Sequence, residues 1–210
     1  MIKVLDLGTG NTSSMLNMIL KAGGVAEICS TPSGLNSAKA IILPGVGSFD
    51  HVISKINNSK IYDVLRHKVI NEKIPFLGVC SGMQILFEKS QEGELSGLGW
   101  IKGEVTRFDF SKNQYLKDFK IPHIGWNIIN PKKNDNLFFG LESNARFYFV
   151  HSYHVNCFDS SDILATSNYG FHFVSAIKHN NIFGVQFHPE KSHRFGLQFF
   201  RNFLRVTDNV

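Results

Sequence analysis

The sequence predicts an α/β fold: an open, mostly parallel central sheet with helices on both faces, extended by antiparallel strands in the second half. In the first half, short apolar runs alternate with helical patterns, as in parallel sheets covered on both faces. In the second half, strand-like runs follow one another with few helices between them. The 210 residues show no repeat or linker, so we expect a single domain over residues 1–210.

The elements of the first half follow from apolar runs bounded by glycine and proline. Strands are predicted at Ile2–Leu7, Val25–Cys29, Lys39–Leu43 and Pro75–Val79. Helices are predicted from Thr12 or Ser13 to Lys21, and over Ser48–Ile56, Ile61–Ile70 and Gly82–Glu88. This order of strands and helices is typical of a parallel sheet.

The second half is richer in strands. They are predicted at Ile101–Phe108, Ile124–Ile129, Arg146–Val150, Ile163–Ser167, Phe171–Ile177 and Ile182–Phe187. A final helix from Ser192 to Leu204 is indicated by Phe195, Phe199 and Phe203, which recur on one helical face. Residues 109–120 have the composition of a loop.

Composition excludes several classes of protein. Hydrophobic residues make up 43% and charged residues 19%, which is ordinary for a globular chain and unlike a disordered one. No apolar run approaches the roughly 20 residues that cross a bilayer. Asp6 interrupts the first apolar segment early, so we expect no signal peptide and a cytoplasmic location.

Charge and cysteine usage exclude further classes. The net charge is +5, but lysines and arginines are scattered singly and form no nucleic-acid-binding pattern. The cysteines, Cys29, Cys80 and Cys157, are odd in number and lack a CxxC pair. We therefore expect no disulfide framework, no metal site and no cofactor, and at least one free thiol.

The segment around Cys80 carries the most chemical information. An apolar strand runs into a turn of small residues and then into a helical pattern, which is the cysteine version of a nucleophile elbow. Gly78 and Gly82 flank Cys80 at i−2 and i+2, where close backbone packing excludes a Cβ atom. The start of the following helix favours a thiolate and can bind an oxyanion. Cys80 is therefore the candidate nucleophile.

A cysteine nucleophile needs a base, and the base needs a group that orients it. Near the other end of the chain, an apolar strand leads into His188-Pro189-Glu190. The imidazole of His188 should lie at the carboxyl edge of the sheet, the edge that carries Cys80 and where ligands of open α/β sheets bind. Glu190 can hydrogen-bond that imidazole.

A third strand ends in the glycine-rich turn Pro44–Ser48, whose backbone N–H groups can complete an oxyanion hole opposite Cys80. A phosphate cradle is the alternative, but the glycine patterns of nucleotide-binding loops are absent here. The Gly8-Thr9-Gly10 turn lacks the third glycine of a dinucleotide site.

Together these residues resemble the class I (triad) glutamine amidotransferases, which have a flavodoxin-like α/β fold. Among them the chain is most similar to the glutaminase subunits of imidazole glycerol phosphate synthase. The match extends over Asp6–Asn11, Pro44–Gly47, Leu77–Gln84, Pro122–Asn127, Tyr148–Tyr153 and Gly184–Ser192. The cysteine and His-Pro-Glu motifs are specific to the superfamily, and Pro122–Asn127 and His151–Tyr153 narrow the match to this subunit type.

The resemblance implies a role for each matching residue. Cys80 attacks the glutamine amide and forms a γ-glutamyl thioester, His188 transfers protons, and Glu190 orients His188. The implied oxyanion hole is formed by backbone near Val46, Gly47 and Ser81. The implied glutamine site comprises Gly47, Gln84, Ser152 and Tyr153. The implied partner interface comprises Asn11, Trp126 and Lys191.

The resemblance also implies a partner. In this family ammonia passes through a channel into a (β/α)8-barrel subunit that makes imidazole glycerol phosphate and AICAR in histidine biosynthesis, and the glutaminase is nearly silent until the partner binds its substrate. The chain departs from the family at Thr12 and Ser13, where leucine and arginine are usual, and at Ser81 and His154. The missing arginine lies near the expected partner face, so the sequence leaves the identity of the partner open.

Three alternatives therefore remain beside the histidine-pathway subunit. A paralogous glutaminase subunit delivers ammonia to a sugar-modifying amidotransferase in surface-polysaccharide biosynthesis. A free-standing cysteine hydrolase of γ-glutamyl compounds would be fully active alone. A non-catalytic module on this fold normally lacks the cysteine or the histidine, and both are present.

Overall fold

The computed structural model describes residues 1–8, 10–111 and 114–208. Thr9 of the Gly8–Gly10 turn and residues 112–113 of the 109–120 loop lie outside the described residues. The helices are α1 (Thr12–Lys21), α2 (Phe49–Asn58), α3 (Tyr62–Arg66), α4 (Ser81–Gln84) and α5 (His193–Asp208). Within the described ranges, no helix is long and apolar enough to cross a membrane.

The strands of the first half are β1 (Ile2–Leu5), β2 (Ala26–Cys29), β3 (Ala40–Gly45), β4 (Phe76–Cys80) and β5 (Lys89–Ser90). Those of the second half are β6 (Gly103–Arg107), β7 (His123–Ile128), β8 (Asn130–Pro131), β9 (Arg146–His151), β10 (Tyr153–Cys157), β11 (Ile163–Tyr169), β12 (Phe171–His179) and β13 (Ile182–Val185).

The main sheet has the order β2-β1-β3-β4-β13-β12-β10-β6-β5, with β11 beside β12 and β8 beside β11. Strands β2, β1, β3, β4 and β13 are parallel to their neighbours in that order. From β13 onward the pairing with β12, β10 and β6 is antiparallel. Strands β7 and β9 form a separate antiparallel pair. The predicted fold class is confirmed.

Two hydrophobic cores cover the two faces of the sheet, because successive strand residues point to opposite sides. In β3, Ile42 belongs to one core and Ile41 to the other. The first core receives Met15 and Ile19 of α1 and Phe199 and Phe203 of α5. The second core receives Phe49, Val52 and Ile56 of α2 and Leu65 of α3. The aromatic period predicted for the last helix therefore marks its buried face.

The predicted helix Gly82–Glu88 is wrong beyond its first turn, since α4 ends at Gln84. The carbonyl groups of the next residues bind a distant segment instead. The Ile85 carbonyl accepts from Leu98 N at 2.8 Å, and the Leu86 carbonyl accepts from Trp100 N at 2.9 Å. These tertiary hydrogen bonds replace those of a longer helix, so the helix dipole behind Cys80 is that of a single turn.

The predictions missed β10 and placed the end of β13 too late. Strand β10 pairs with β6 over Tyr153–Cys157, although His154 and Asn156 make it look polar in sequence. Strand β13 ends at Val185, and the backbone N–H of His188 instead donates to the Tyr148 carbonyl at 2.8 Å. His188 therefore lies three residues past the strand, in contact with β9.

The sheet brings the candidate site together at its carboxyl edge. Gly45 at the end of β3 pairs with Cys80 at the end of β4, and Val185 at the end of β13 pairs with Val79. These neighbours come from three distant parts of the chain. Open α/β sheets bind ligands at this edge.

Candidate active site

Cys80 stands in a strained backbone conformation at the end of β4. Its φ is 56° and its ψ is −116°, outside the regions that a side-chain-bearing residue usually adopts. A non-glycine residue held there costs about 1–3 kcal/mol and persists only when its surroundings enforce it. The strain places the Cys80 side chain at the turn between β4 and α4, as a nucleophile elbow requires.

Three glycines make this turn possible. A Cβ on Gly82 would lie 2.2 Å from the Leu43 carbonyl oxygen, and one on Gly78 would lie 2.3 Å from the Gly82 oxygen. A Cβ on Gly45 would lie 2.2 Å from the Gly82 nitrogen. Backbone contacts this close cannot yield to a side chain. The predicted steric role of Gly78 and Gly82 is confirmed, and Gly45 shares it.

His188 and Glu190 form a buried pair. The Nδ1 atom of His188 lies 2.9 Å from an oxygen of Glu190, and both side chains are almost fully buried. Ser192 holds the backbone around them: its hydroxyl donates to the His188 carbonyl at 2.6 Å and accepts from Tyr148 N at 3.0 Å. The imidazole is therefore oriented at Nδ1, as a catalytic base needs.

The charges around His188 favour its protonated form. Burial alone would lower the pKa of the imidazole, but Cys80 and the Glu190 carboxylate together raise the pKa well above its ordinary value. Although Cys80 lies near enough for this effect, the Nε2 atom makes no aligned hydrogen bond to any described residue. Catalytic hydrogen bonds are often loose before substrate binds. A protonated His188 stabilises a thiolate on Cys80.

The sulfur of Cys80 contacts two further polar groups. The amide Nε2 of Gln186 donates toward the sulfur at 3.6 Å, and the Val150 carbonyl oxygen lies 4.0 Å away. Gln186 is fully buried, and its Oε1 accepts from Gln84 Nε2 at 3.0 Å. Gln186 therefore supplies a fixed donor to the sulfur.

Cys80 and His188 open into a cleft of about 320 Å³, large enough for a free amino acid. The cleft is lined by Gly45, Val46, Gly47, Cys80, Ser81, Gln84, Glu92, Pro122, Val150, His151, Ser152, Tyr153, His188 and Lys191. Every residue predicted for the oxyanion hole and the glutamine site is among them. Glu190 lies behind His188 instead.

The three residues predicted for a partner interface lie in different places relative to the cleft. Lys191 lines the cleft, whereas Asn11 and Trp126 lie outside its wall. The Asn11 side chain accepts from Ser14 N at 3.2 Å and so caps α1. Trp126 is 45% exposed on β7 and stacks on His193 with ring centroids 5.3 Å apart.

Known proteins resemble this chain over nearly its whole length. The family model for glutamine amidotransferase class-I matches residues 3–206. The chain belongs to the class-I glutamine amidotransferases. A protein of Leptospira borgpetersenii named imidazole glycerol phosphate synthase subunit HisH is 48% identical over 206 residues, which are 98% of this chain and 100% of that one. In Pseudomonas aeruginosa, a protein named imidazole glycerol phosphate synthase subunit HisH 2 is 42% identical, over 99% of this chain and 100% of that one.

Solved structures share the fold of this class-I glutamine amidotransferase at low identity. A crystal structure of a glutamine amidotransferase has a TM-score of 0.73 at 20% identity, over 99% of this chain and 98% of that one. The PurLQS structure of Thermotoga maritima has a TM-score of 0.72 at 18% identity, over 98% and 97%. At these identities the likeness concerns the fold alone.

Glu92 lines the cleft of this amidotransferase but was not among the residues predicted for the site. One Glu92 oxygen accepts from Phe49 N at 2.8 Å. Burial first, and then the nearby Asp50 carboxylate, raises the pKa of Glu92 above its ordinary value. Glu92 lies in a loop with no local pattern, so only the contact with Phe49, 43 residues away, marks it. Gln186 was missed too, although it stands two residues before His188.

No group of three or more histidine, cysteine or acidic side chains is arranged to hold a metal ion in the described ranges. Cys157 differs from Cys80 in its surroundings, since burial and then the carboxylates of Asp162 and Asp159 raise its pKa to about 12. A thiol kept protonated in this way is a poor nucleophile. Cys157 therefore serves as a natural comparison for Cys80.

Proposed function

We propose that this chain hydrolyses L-glutamine to glutamate and ammonia, and that it delivers the ammonia to a synthase subunit. This proposal rests on the strained conformation of Cys80 at the cleft, next to the buried pair of His188 and Glu190. Membership of the class-I glutamine amidotransferases supports the same reaction.

The reaction proceeds in two displacements on one carbonyl carbon. The Cys80 thiolate attacks the side-chain amide carbon of glutamine, and His188 gives a proton to the departing nitrogen. The C–N bond breaks, ammonia leaves and a γ-glutamyl thioester remains. His188 then takes a proton from water, which attacks the thioester; the C–S bond breaks, and glutamate is released. Glu190 holds the imidazole in place and stabilises its charged form throughout.

The negative oxygen that develops in each step needs fixed donors. The backbone N–H groups near Val46 and Gly47, at the end of β3, and that of Ser81, at the start of α4, are the candidates. Gly47 has a φ of 120°, a conformation that glycine adopts without strain. Its freedom suits a turn that must present N–H groups to the cleft.

Free glutamine carries an α-ammonium and an α-carboxylate, and the cleft offers both opposite charges. Glu92 is the carboxylate of the lining and suits the ammonium, whereas Lys191 suits the carboxylate. Gln84 and the backbone of Ser152 and Tyr153 also line the cleft. These groups would hold the amide of glutamine against Cys80.

The partner proposed for this chain is the (β/α)8-barrel synthase subunit that makes imidazole glycerol phosphate and AICAR in histidine biosynthesis. The relatives in Leptospira borgpetersenii and Pseudomonas aeruginosa carry the name of subunits of that synthase. Those names favour this partner over a sugar-modifying amidotransferase and over a free-standing hydrolase. Strand β7 exposes Ile124, Trp126 and Ile128 on one face, an apolar surface that suits a protein partner. Asn11 and Lys191 remain proposed members of the interface.

Reconstitution with the synthase subunit tests the proposal. Wild-type complex should make product from either glutamine or ammonia, whereas Cys80→Ala should use only ammonia. Cys157→Ala is the matched control and should keep both activities, because that thiol is held protonated. Glutamine-dependent synthesis by the Cys80→Ala complex would refute the assignment of the nucleophile.

A further inference from the structure

A pair of buried histidines lies between β7 and the cleft. His123 of β7 and His151 of β9 are paired in register, and His123 Nδ1 lies 3.0 Å from His151 Nε2. Both side chains are more than nine-tenths buried, among the rings of Phe149, Phe173 and Tyr169. Polar groups buried among aromatic rings need hydrogen-bond partners. Each ring nitrogen of the pair has one.

The hydrogen-bond partners of the two imidazoles allow only one order of donors and acceptors along this pair. His151 Nδ1 lies 2.7 Å from the Tyr153 carbonyl oxygen, which can only accept, so Nδ1 carries the proton. The neutral ring then accepts at Nε2, and His123 must donate from its own Nδ1. His123 Nε2 is left to accept from the Asn127 amide at 3.3 Å.

Asn127 fixes the outer end of the chain of hydrogen bonds. Its Nδ2 also donates to the Asn168 carbonyl at 2.8 Å, and its Oδ1 accepts from Ile128 N at 2.8 Å. The amide is therefore oriented by its backbone partners. The donor order from Asn127 to His123, His151 and Tyr153 has a single consistent assignment, with both imidazoles neutral and protonated at Nδ1.

The electrostatics agree with neutral rings. Burial lowers the pKa of His123 to about 4 and that of His151 to about 3. The other ionisable groups that face the pair are His154, His188 and Tyr169. The direction of the hydrogen bonds therefore stays the same near neutral pH.

The inner end of the chain of hydrogen bonds meets the catalytic residues. The Tyr153 carbonyl accepts a second hydrogen bond, from Gln84 Nε2 at 3.2 Å. Gln84 also donates to Gln186, which donates in turn toward the sulfur of Cys80. The Tyr153 carbonyl is thus a fixed point shared by the histidine pair and by the polar groups under the nucleophile.

We propose that Asn127, His123 and His151 are positioning residues, whose chain of hydrogen bonds fixes the backbone of Ser152 and Tyr153 and thereby the part of the glutamine-binding cleft beside Cys80. This inference rests on the proposed glutaminase function. The three residues act through the Tyr153 carbonyl. Loss of the hydrogen bonds should therefore affect the binding of glutamine more than the chemical step.

Two substitutions of His151 separate positioning from packing. An asparagine amide occupies the place of Nδ1, so His151→Asn keeps a donor for the Tyr153 carbonyl. A glutamine amide occupies the place of Nε2, so His151→Gln keeps the contact with His123 and loses the inner donor. In the reconstituted complex, we expect His151→Gln to raise KM for glutamine about tenfold or more while kcat changes less than about threefold. His151→Asn keeps the inner donor but loses the contact with His123, so it should raise KM clearly less than His151→Gln does.

His67→Gln changes an exposed histidine outside these hydrogen bonds and serves as the control, with wild-type kinetics expected. Equal effects of the two His151 substitutions, or no effect of either, would overturn the inference. If the wild-type complex released no ammonia from glutamine, the proposed function would fail instead.

A second measurement needs no substitution among the hydrogen-bonded residues. In the full-length protein, ¹⁵N chemical shifts of the imidazoles report which ring nitrogen carries the proton. We expect both His123 and His151 to be neutral and protonated at Nδ1 at pH 7. A proton on Nε2 of either ring would reverse a donor and refute the proposed order, whatever the activity of the enzyme.

Discussion

Glu190 has one oxygen on His188 Nδ1, while its other oxygen is buried without a partner among the described residues. Its carboxylate is therefore committed to the imidazole. Removing the charge while keeping the shape isolates what the carboxylate does for His188, because the backbone around it is held by Ser192.

Glu190→Gln should lower kcat for glutamine hydrolysis by about a hundredfold or more, because the amide no longer stabilises the charged imidazole. The pKa of His188 should fall, since the carboxylate raises it. Steady-state kinetics and an NMR titration of His188 measure the two effects. Glu104→Gln, which alters a surface ion pair of β6 with Lys89, is the control. Wild-type turnover in Glu190→Gln would make Glu190 a purely structural residue.

The sequence predicted the residues whose pattern is local. Cys80 stands between glycines at a strand end, and His188 and Glu190 are two residues apart, so each pattern is readable in a few positions. Glu92 and His151 are brought to the cleft, and His123 to His151, by tertiary contacts. Contacts between distant segments leave no local pattern, so the sequence alone did not predict the roles proposed for these residues.

The turn between β4 and α4 depends on glycines, because a Cβ atom there would overlap neighbouring backbone. Gly82→Ala should destabilise the protein by more than about 2 kcal/mol, because the new Cβ meets the Leu43 carbonyl. Gly99→Ala should cost only about 1 kcal/mol, since it has a positive φ but open space around it. Chemical denaturation measures both. Equal losses at the two glycines would show that the turn tolerates a side chain.

Helices and strands could be predicted from the sequence where their apolar residues follow one clear pattern. The parallel strands β3, β4 and β13 are continuous apolar runs, and the aromatic period of α5 marks its buried face. The prediction of a longer helix after Cys80 was wrong, because the carbonyl groups that would continue it accept hydrogen bonds from the backbone N–H groups of Leu98 and Trp100. Strand β10 was missed because its register is set by pairing with β6 and not by an alternating pattern of its own.

Buried histidines make the free energy of unfolding of the protein depend on pH. Burial lowers the pKa values of His123, His151 and His154. Their contribution to the free energy of unfolding is therefore fully present above the ordinary pKa of 6.5, and it is lost as pH falls through the lowered values. His188 has a raised pKa, so its contribution is complete below 6.5 and is lost only as pH rises through the raised value.

The free energy of unfolding should therefore decrease from pH 7 to pH 5. His151 alone should account for about 2 kcal/mol of this decrease at pH 5, because its imidazole binds a proton in the unfolded chain and stays neutral in the folded protein. Urea denaturation at several pH values measures the slope. His151→Asn should flatten it by about that amount. An unchanged slope in this variant would mean that His151 is protonated in the folded protein.

The proposed function requires that Cys80 forms a covalent bond to the γ-carbonyl carbon of glutamine. The most direct test mixes the reconstituted complex with glutamine, stops the reaction in acid at short times and measures the masses of the cysteine-containing peptides. We expect one γ-glutamyl group on the peptide that contains Cys80, and none on those with Cys29 or Cys157. Ammonia release without that adduct at any time, or an adduct on another cysteine, would contradict it.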